Sequence, residues 1–145
     1  MPMKLNLLIT TAVLGGLFTA NAASPQEEAR FLADVKSAFE QKDAKAFLKL
    51  YCWDRVPDSV RSAVEKTTPR LLELRVESIA LVAASPKLAK SEFVRDGVAY
   101  RPNLPITKQV EVTHSSAEEK MKGKATIPVG EKDGKLYVTC TVPEK

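Results

Sequence analysis

Hydrophobic positions in the first half of the chain, beyond an apolar leader, recur every three or four residues, which is typical of amphipathic helices. The clearest apolar stripe consists of Phe31, Leu32, Val35 and Phe39. This stripe predicts a helix over residues 25–41. Ser24 and Glu27 have the spacing of a capping box, and Pro25 suits the first helical position, so the sequence also predicts where this helix begins.

Two further helices are predicted before the pattern changes. Asp43 is placed to cap a short helix. The apolar face of that helix would carry Phe47, Leu48, Tyr51 and Cys52. Asp58 is placed to cap a third helix, which bears Val60 and Val64 and extends towards Pro69. The first half of the chain is therefore predicted to be helical.

The second half changes to short runs in which apolar and polar positions alternate, the pattern of strands. Strands are predicted over residues 74–84, 98–104, 106–114, 122–129 and 136–142. In the last strand we expect Leu136, Val138, Cys140 and Val142 to point inward, and Tyr137, Thr139 and Thr141 to point outward. Asp133-Gly134 predicts a tight turn before this strand. Pro128 cannot donate a ladder hydrogen bond, so it indicates an edge or a bulge.

Helices followed by strands are the order of an α+β domain, in which a helical layer covers one face of an antiparallel sheet. The chain has 145 residues, a length that suits one domain. Its 44% hydrophobic and 28% charged residues are typical of globular proteins and disfavour disorder and coiled coil. We expect one domain over residues 23–145, with N-terminal helices packed on a curved antiparallel sheet of four to five strands.

Residues 1–22 have the pattern of a signal peptide. Lys4 supplies a positive charge, an apolar stretch follows over residues 5–18, and Ala20 and Ala22 are the small residues that a signal peptidase recognises. The stretch is shorter than the roughly 20 apolar residues that a membrane span needs. We therefore expect an exported protein, periplasmic or extracellular, with no stable membrane anchor.

The charge of the chain does not favour a nucleic-acid partner. Its 22 basic and 18 acidic residues alternate along most of the sequence. One local cluster, formed by Lys120, Lys122 and Lys124, recurs at period two and would share one face of a strand. We interpret this cluster as a solvated strand face or a protected sheet edge, in preference to a patch for an anionic partner.

The order of elements, together with residues 39–48, 96–104 and 127–137, resembles the nuclear transport factor 2-like (cystatin-like cone) superfamily, in particular its uncharacterised exported bacterial members. The resemblance covers nearly all of residues 23–145 and implies a cone-like fold. It rests on fold motifs and not on active-site motifs. Because the superfamily includes isomerases, dehydratases, cyclases and non-catalytic binding modules, the resemblance does not choose a function.

His114 and the two cysteines are the residues with the most reactive side chains. His114 is the default general base, expected at the pocket-facing end of its strand, although a rim histidine bonded to a carbonyl is the preferred interpretation. A carboxylate partner for it would come from Asp54 or Asp96. Cys52 and Cys140 are either a disulfide or two buried thiols, and both interpretations stay open.

No metal or cofactor is expected. One histidine and two distant cysteines exclude a zinc site of the usual Cys/His kind. The sequence also lacks the nucleophile elbow, the zinc-protease motif, the phosphate loop, the dinucleotide fingerprint and the calcium loop. Residues expected to bind a ligand are Tyr51, Trp53, Tyr100 and His114, with packing in the core as the alternative for the aromatic rings.

Three hypotheses of function follow. The leading one is an exported, non-catalytic module that binds a small apolar ligand or a partner protein. The second is a cofactor-free lyase or isomerase that uses His114 as its general base. The third is a structural or assembly protein that dimerises through the open sheet face bearing Tyr137, Thr139 and Thr141.

Overall fold

The structure, a computed structural model, describes residues 23–116, 118 and 121–144, so the predicted signal peptide and Lys120 lie outside the described residues. The helices are α1 (Pro25–Gln41), α2 (Ala44–Leu48), α3 (Asp58–Leu72) and α4 (Pro86–Ala89). The strands are β1 (Arg75–Ala83), β2 (Phe93–Arg95), β3 (Val98–Pro102), β4 (Ile106–Ser115), β5 (Lys122–Lys132), β6 (Lys135–Val138) and β7 (Thr141–Pro143).

The strands form two antiparallel sheets. The larger has the order β1-β4-β5-β6 and curls strongly into a half-barrel, and the smaller has the order β2-β3-β7. Helix α1 contacts both β1 and β6, and therefore spans the curl from one edge strand to the other. The segment around Tyr51 pairs in parallel with Val138 and continues the larger sheet beyond β6. The predicted α+β class, with helices on a curved antiparallel sheet, is confirmed.

The inside of the curl is occupied by the protein's own side chains. The buried cluster includes Phe31, Val35, Phe39, Phe47, Leu72, Val110, Val112, Ile127, Val129, Leu136 and Val138. Burial of each large apolar side chain contributes about 1.5–3 kcal/mol. Phe47 has edge-to-face contacts with both Phe39 and Tyr51, at centroid distances of 5.9 and 5.6 Å. These contacts fix α2 against α1 and lead towards the loop that follows α2.

Helix α1 begins and ends where the sequence predicts. The carboxylate of Glu27, however, forms contacts that the capping box does not predict. The hydroxyl of Ser24 accepts a hydrogen bond from the Glu27 N–H at 3.1 Å, as expected of the cap. The carboxylate of Glu27 accepts the N–H of Leu136 at 2.9 Å and pairs with Arg30. The hydrogen bond from Arg30 holds the pKa of Glu27 below its usual range. Glu27 therefore ties α1 to β6.

Helix α3 differs from its prediction at both ends. Asp58 is the first helical residue and not the cap, which is Pro57 and provides no side-chain hydrogen bond. The helix also passes through Pro69, whose ring removes one backbone donor. Thr68, just before it, is buried, and its hydroxyl donates to the carbonyl of Val64 at 2.7 Å. Leu72, which is 1% exposed, then packs the last turn into the core, which offsets the lost hydrogen bond.

The predicted last strand is divided between the two sheets. Its four inward residues are buried as expected, but β6 belongs to the larger sheet and β7 to the smaller one. The expectation that Thr139 points outward is wrong, because this residue lies between the two strands and is 6% exposed. Its N–H donates to the carbonyl of Pro128 at 3.1 Å, just beyond the end of β6. The N–H and the C=O of a strand residue point to the same side. The N–H that Pro128 lacks would therefore point past the end of β6, to a local edge of the larger sheet.

Two Asp-Gly turns close the hairpins. Asp133-Gly134 joins β5 to β6 as predicted, with both residues at positive φ. Asp96-Gly97 has the same conformation and joins β2 to β3. Strand β2 has three residues and was not predicted. Gly130 lies within β5 and not in the turn. A Cβ there would come within 2.7 Å of the Pro105 carbonyl oxygen, so the close approach requires glycine.

Asn103, in the connection between β3 and β4, links three segments of the backbone. Its Nδ2 donates to the carbonyls of Cys52 and Asp54 at 2.8 and 3.0 Å, and its Oδ1 accepts the Cys140 N–H at 2.9 Å. Its own N–H donates to the Cys140 carbonyl at 2.8 Å, and its carbonyl accepts from Arg55 at 2.8 Å. The residue is 4% exposed, so these bonds are largely shielded from water.

We predict that Asn103→Ala lowers the free energy of unfolding by about 2–4 kcal/mol, because two carbonyls and one N–H lose their buried partner. Urea denaturation followed by far-UV circular dichroism measures the change. Gln26→Ala removes an exposed side-chain amide and serves as the matched control, with an expected change within about 0.5 kcal/mol. A loss below about 1 kcal/mol for Asn103→Ala would contradict the role of this amide.

Candidate functional site

Trp53 is held in a stack of side chains in the loop before α3. Its ring stacks on Tyr51 with centroids 5.2 Å apart. The guanidinium of Arg61, a residue of α3, lies 4.5 Å from the centroid of the Trp53 ring. The indole N–H donates to the carbonyl of Leu48 at 3.1 Å. Trp53 lines none of the clefts described below. It therefore completes the packing of the loop before α3, which is the alternative weighed for the aromatic residues.

Tyr51 lies deeper, between the larger sheet and α3. Burial and the neighbouring Cys140 raise its pKa to about 12, while a hydrogen bond with Thr68 acts in the opposite direction. Its ring has an edge-to-face contact with Phe47 and stacks on Trp53. Tyr51 is partly buried and packs against the core.

Cys52 and Cys140 are both buried free thiols in this structure. Their backbones meet at Asn103, which bonds to the carbonyl of Cys52 and to both backbone groups of Cys140. Burial raises the pKa of the Cys140 thiol to about 11, and the neighbouring Cys52 adds to this shift. A thiol with a raised pKa is a poor nucleophile at neutral pH, so Cys140 functions here as a small apolar residue.

His114 is half-buried at the end of β4, directly opposite Val76 of β1 and Gly123 of β5. A Cβ at Gly123 would come within 2.7 Å of the imidazole Cε1, so the ring lies over this glycine. Among the described residues, the structure gives the ring neither a carboxylate nor a carbonyl partner. Asp54 pairs with Lys132, and Asp96 lies in the β2–β3 turn.

The two described lysines of the basic cluster are paired with carboxylates on other strands of the larger sheet. Lys122 lies 3.2 Å from Glu77, and Lys124 lies 3.6 Å from Glu111. Exposed pairs of this kind contribute at most about 1 kcal/mol each. They fit the interpretation of a solvated strand face.

The most apolar exposed surface lies on the β2–β3 hairpin. Phe93 is 47% exposed, and its ring stacks on Tyr100 with centroids 5.0 Å apart and planes at 10°. Val98, on the neighbouring strand, is 38% exposed. Of the residues expected to bind a ligand, Tyr100 is the one that lies on this surface. Phe93 was missed because β2 is too short for a recognisable alternation, although Asp96-Gly97 after it was a signal for the hairpin.

Two clefts lie on either side of Phe93. The α3 cleft, between α3 and the smaller sheet, has a volume of about 410 Å³. It is lined by Ser59, Val60, Ala63, Val64, Thr67, Phe93, Arg95, Tyr100 and Thr141. The α4 cleft, of about 530 Å³, lies between α4 and the outer face of the larger sheet. It is lined by Ser85, Lys87, Leu88, Lys90, Ser91, Glu92, Phe93, Gln109 and Thr126.

A third cleft, the α1 cleft, lies between α1 and the open edge of β1 and has a volume of about 530 Å³. It is lined by Lys36, Phe39, Glu40, Leu74, Val76, Glu77, Ser78 and Ile79. Its charges are mixed in sign, and Glu77 is paired with Lys122. Phe39, its aromatic residue, is 5% exposed and belongs to the core. The α3 cleft therefore offers the more accessible aromatic surface.

The charged residues at the two clefts beside Phe93 are mainly basic. Arg95 is the charged residue in the lining of the α3 cleft, and Lys87 and Lys90 line the α4 cleft. None of the three has an ion-pair partner within the described part of the chain, whereas Arg101 nearby pairs with Glu144 at 3.1 Å. The arrangement combines exposed aromatic rings with cations whose counter-charge the described protein does not supply.

Within residues 23–116, 118 and 121–144, no group of three or more His, Cys, Asp or Glu side chains is placed to hold a metal ion. None of the helices in this part of the chain has the length and apolarity needed to cross a membrane. Comparisons of the chain with protein-family models, with curated proteins and with solved structures found no match.

We predict that Tyr51→Phe flattens the alkaline loss of stability. The unfolded tyrosine ionises near pH 10 and the folded one near pH 12, so the unfolded state releases its proton first and stability falls as pH rises between these values. Urea unfolding at about pH 9 and pH 11.5 should show that the wild type loses on the order of 2 kcal/mol more than the variant. Between pH 7 and pH 9 the difference between the two proteins should be constant. Parallel curves over the whole range would refute the raised pKa.

Trp53→Ala is expected to act on stability and not on the clefts. It removes the stack on Tyr51, the contact with Arg61 and the hydrogen bond to Leu48, and should lower the free energy of unfolding by about 2–3 kcal/mol. Trp53→Phe retains a ring and should recover part of this loss. Chemical denaturation measures both variants, and an unchanged stability for Trp53→Ala would place the ring outside the packing.

Proposed function

We propose that the protein is an exported, non-catalytic module that binds a small apolar ligand in the α3 cleft, and that it is a distant member of the nuclear transport factor 2-like superfamily. The observation that carries the binding proposal is the stacked pair of Phe93 and Tyr100, which faces the apolar side of α3. Export rests on the signal-peptide pattern of residues 1–22.

The distribution of apolar side chains supports a peripheral site. The curl of the larger sheet is filled by buried residues such as Phe31 and Val110, both 0% exposed. The hairpin, in contrast, keeps Phe93 and Val98 partly in water. Exposed apolar surface of this kind often marks a site of interaction. A ligand that covers Phe93 would remove its exposed apolar surface from water, and the free energy of this burial would favour binding.

The composition of the α3 cleft fits a small ligand. Val60 and Val64 provide an apolar wall opposite the two rings, and hydroxyls of Ser59, Thr67 and Thr141 provide polar contacts. Small-ligand sites commonly combine apolar walls with a few polar groups in about 300–1,000 Å³, and the α3 cleft, at about 410 Å³, lies in this range.

The two alternative functions receive less support. A lyase or isomerase would need an oriented base, and the carboxylate of Asp54, one of its expected partners, pairs with Lys132. Assembly through the surface of Tyr137, Thr139 and Thr141 would need Thr139 to be accessible, and it is buried.

We predict that Phe93→Ser weakens binding of the neutral fluorescent probe N-phenyl-1-naphthylamine at least about fivefold, because the probe loses its main apolar contact. Probe fluorescence in a titration with the exported protein measures the affinity. Met121→Ser is the matched control, since Met121 is 74% exposed and does not line the cleft. Thermal melts of both variants verify that they are folded. Failure of the wild type to bind the probe, or equal weakening by both variants, would refute the site.

A further inference from the structure

We infer that the ligand of the α3 cleft is a small amphiphile with one anionic group, whose apolar body lies on Phe93 and Tyr100 and whose anion is bound by Arg95. The inference rests on the proposed function and names the class of ligand. It is carried by the charge of the cleft in relation to its apolar walls.

Arg95 is positioned by the hairpin. It lies two residues after Phe93 on β2, and because side chains alternate along a strand, both residues share the face that lines the cleft. Arg95 pairs with Val98 at the closed end of the hairpin, next to the Asp96-Gly97 turn. The turn therefore holds the backbone of Arg95 next to the aromatic pair.

The cleft supplies no counter-charge to Arg95. No acidic side chain belongs to its described lining, and Arg95 forms no ion pair with any described residue. Arg101, on the neighbouring strand β3, shows the contrast, because Glu92 and Glu144 lie 3.8 and 3.1 Å from its Nε. An unpaired guanidinium next to an apolar wall is complementary to a carboxylate or sulfonate joined to an apolar body.

The α4 cleft, on the other side of Phe93, also has unpaired basic residues in its lining. Lys87 and Lys90 line it, and neither pairs with a carboxylate in the described part of the chain. Glu92, the acidic residue of that lining, is directed to Arg101. The described linings of both clefts therefore carry more basic than acidic side chains, which favours an anionic ligand over a neutral one.

The test uses two probes with the same ring system. The probe 8-anilino-1-naphthalenesulfonate carries a sulfonate, whereas N-phenyl-1-naphthylamine carries none. We expect the folded wild-type protein to bind the sulfonate about fivefold more tightly than the neutral probe. This preference should shrink at a salt concentration of about 0.5 M, where screening shortens the range of electrostatic attraction.

Arg95→Gln separates charge from packing. It should weaken the sulfonate probe about fivefold and leave the neutral probe unchanged, because the shorter side chain stays polar and unbranched at Cβ but loses its charge. Arg70→Gln is the matched control, since Arg70 is an exposed arginine of α3 outside the described lining of the cleft, and it should change neither affinity.

Each outcome has a distinct meaning. If neither probe binds, the proposed function and the inference are both overturned. If both probes bind equally and Arg95→Gln changes neither, the function stands and the anionic ligand is refuted. Equal weakening of both probes by Arg95→Gln would show that Arg95 acts by packing, which also overturns the inference. If sedimentation shows that a second copy occupies the cleft and excludes the probes, the small ligand is overturned in favour of self-association.

Discussion

The arrangement of the two sheets depends on the buried side-chain amide of Asn103. The chain leaves the larger sheet after Val138 and enters the smaller one at Thr141, and over this short passage Cys140 has no strand partner for its backbone groups. Asn103 bonds to both of them and to the loop before α3. Since α3 and the smaller sheet are the two walls of the α3 cleft, both walls are anchored at one residue.

The aromatic residues divide into two sets with different environments. Phe39, Phe47, Tyr51 and Trp53 form a continuous series of ring contacts from α1 to the loop before α3. The stack of Phe93 and Tyr100 lies outside this series on a hairpin whose strand β2 has three residues and pairs only with β3 within the described structure. So short a strand has few side chains to bury, and its ring stays in contact with water.

Local patterns predicted the fold well, and long-range contacts explain the errors. The limits of α1 follow from a cap and a periodic stripe that lie within the helix itself. The alternation over residues 136–142 predicted burial correctly but not the change of sheet, because alternation specifies which side chains are buried and not which strand they pair with. Thr139 and Asn103 owe their burial to segments distant in sequence, Pro128 and Cys52 among them. Of the predicted ligand residues, Tyr100 alone lines the α3 cleft, because the position of each of these residues also depends on long-range contacts.

The common anchor of the two cleft walls has a consequence for binding. The proposed ligand between α3 and the hairpin would contact residues on both walls, Val64 and Phe93 among them, and Asn103 anchors both walls. By linkage, a ligand that binds only the folded arrangement would stabilise the contacts of Asn103 without touching that residue. The residue that organises the fold and the residues that would bind the ligand are therefore distinct in the sequence but coupled in free energy.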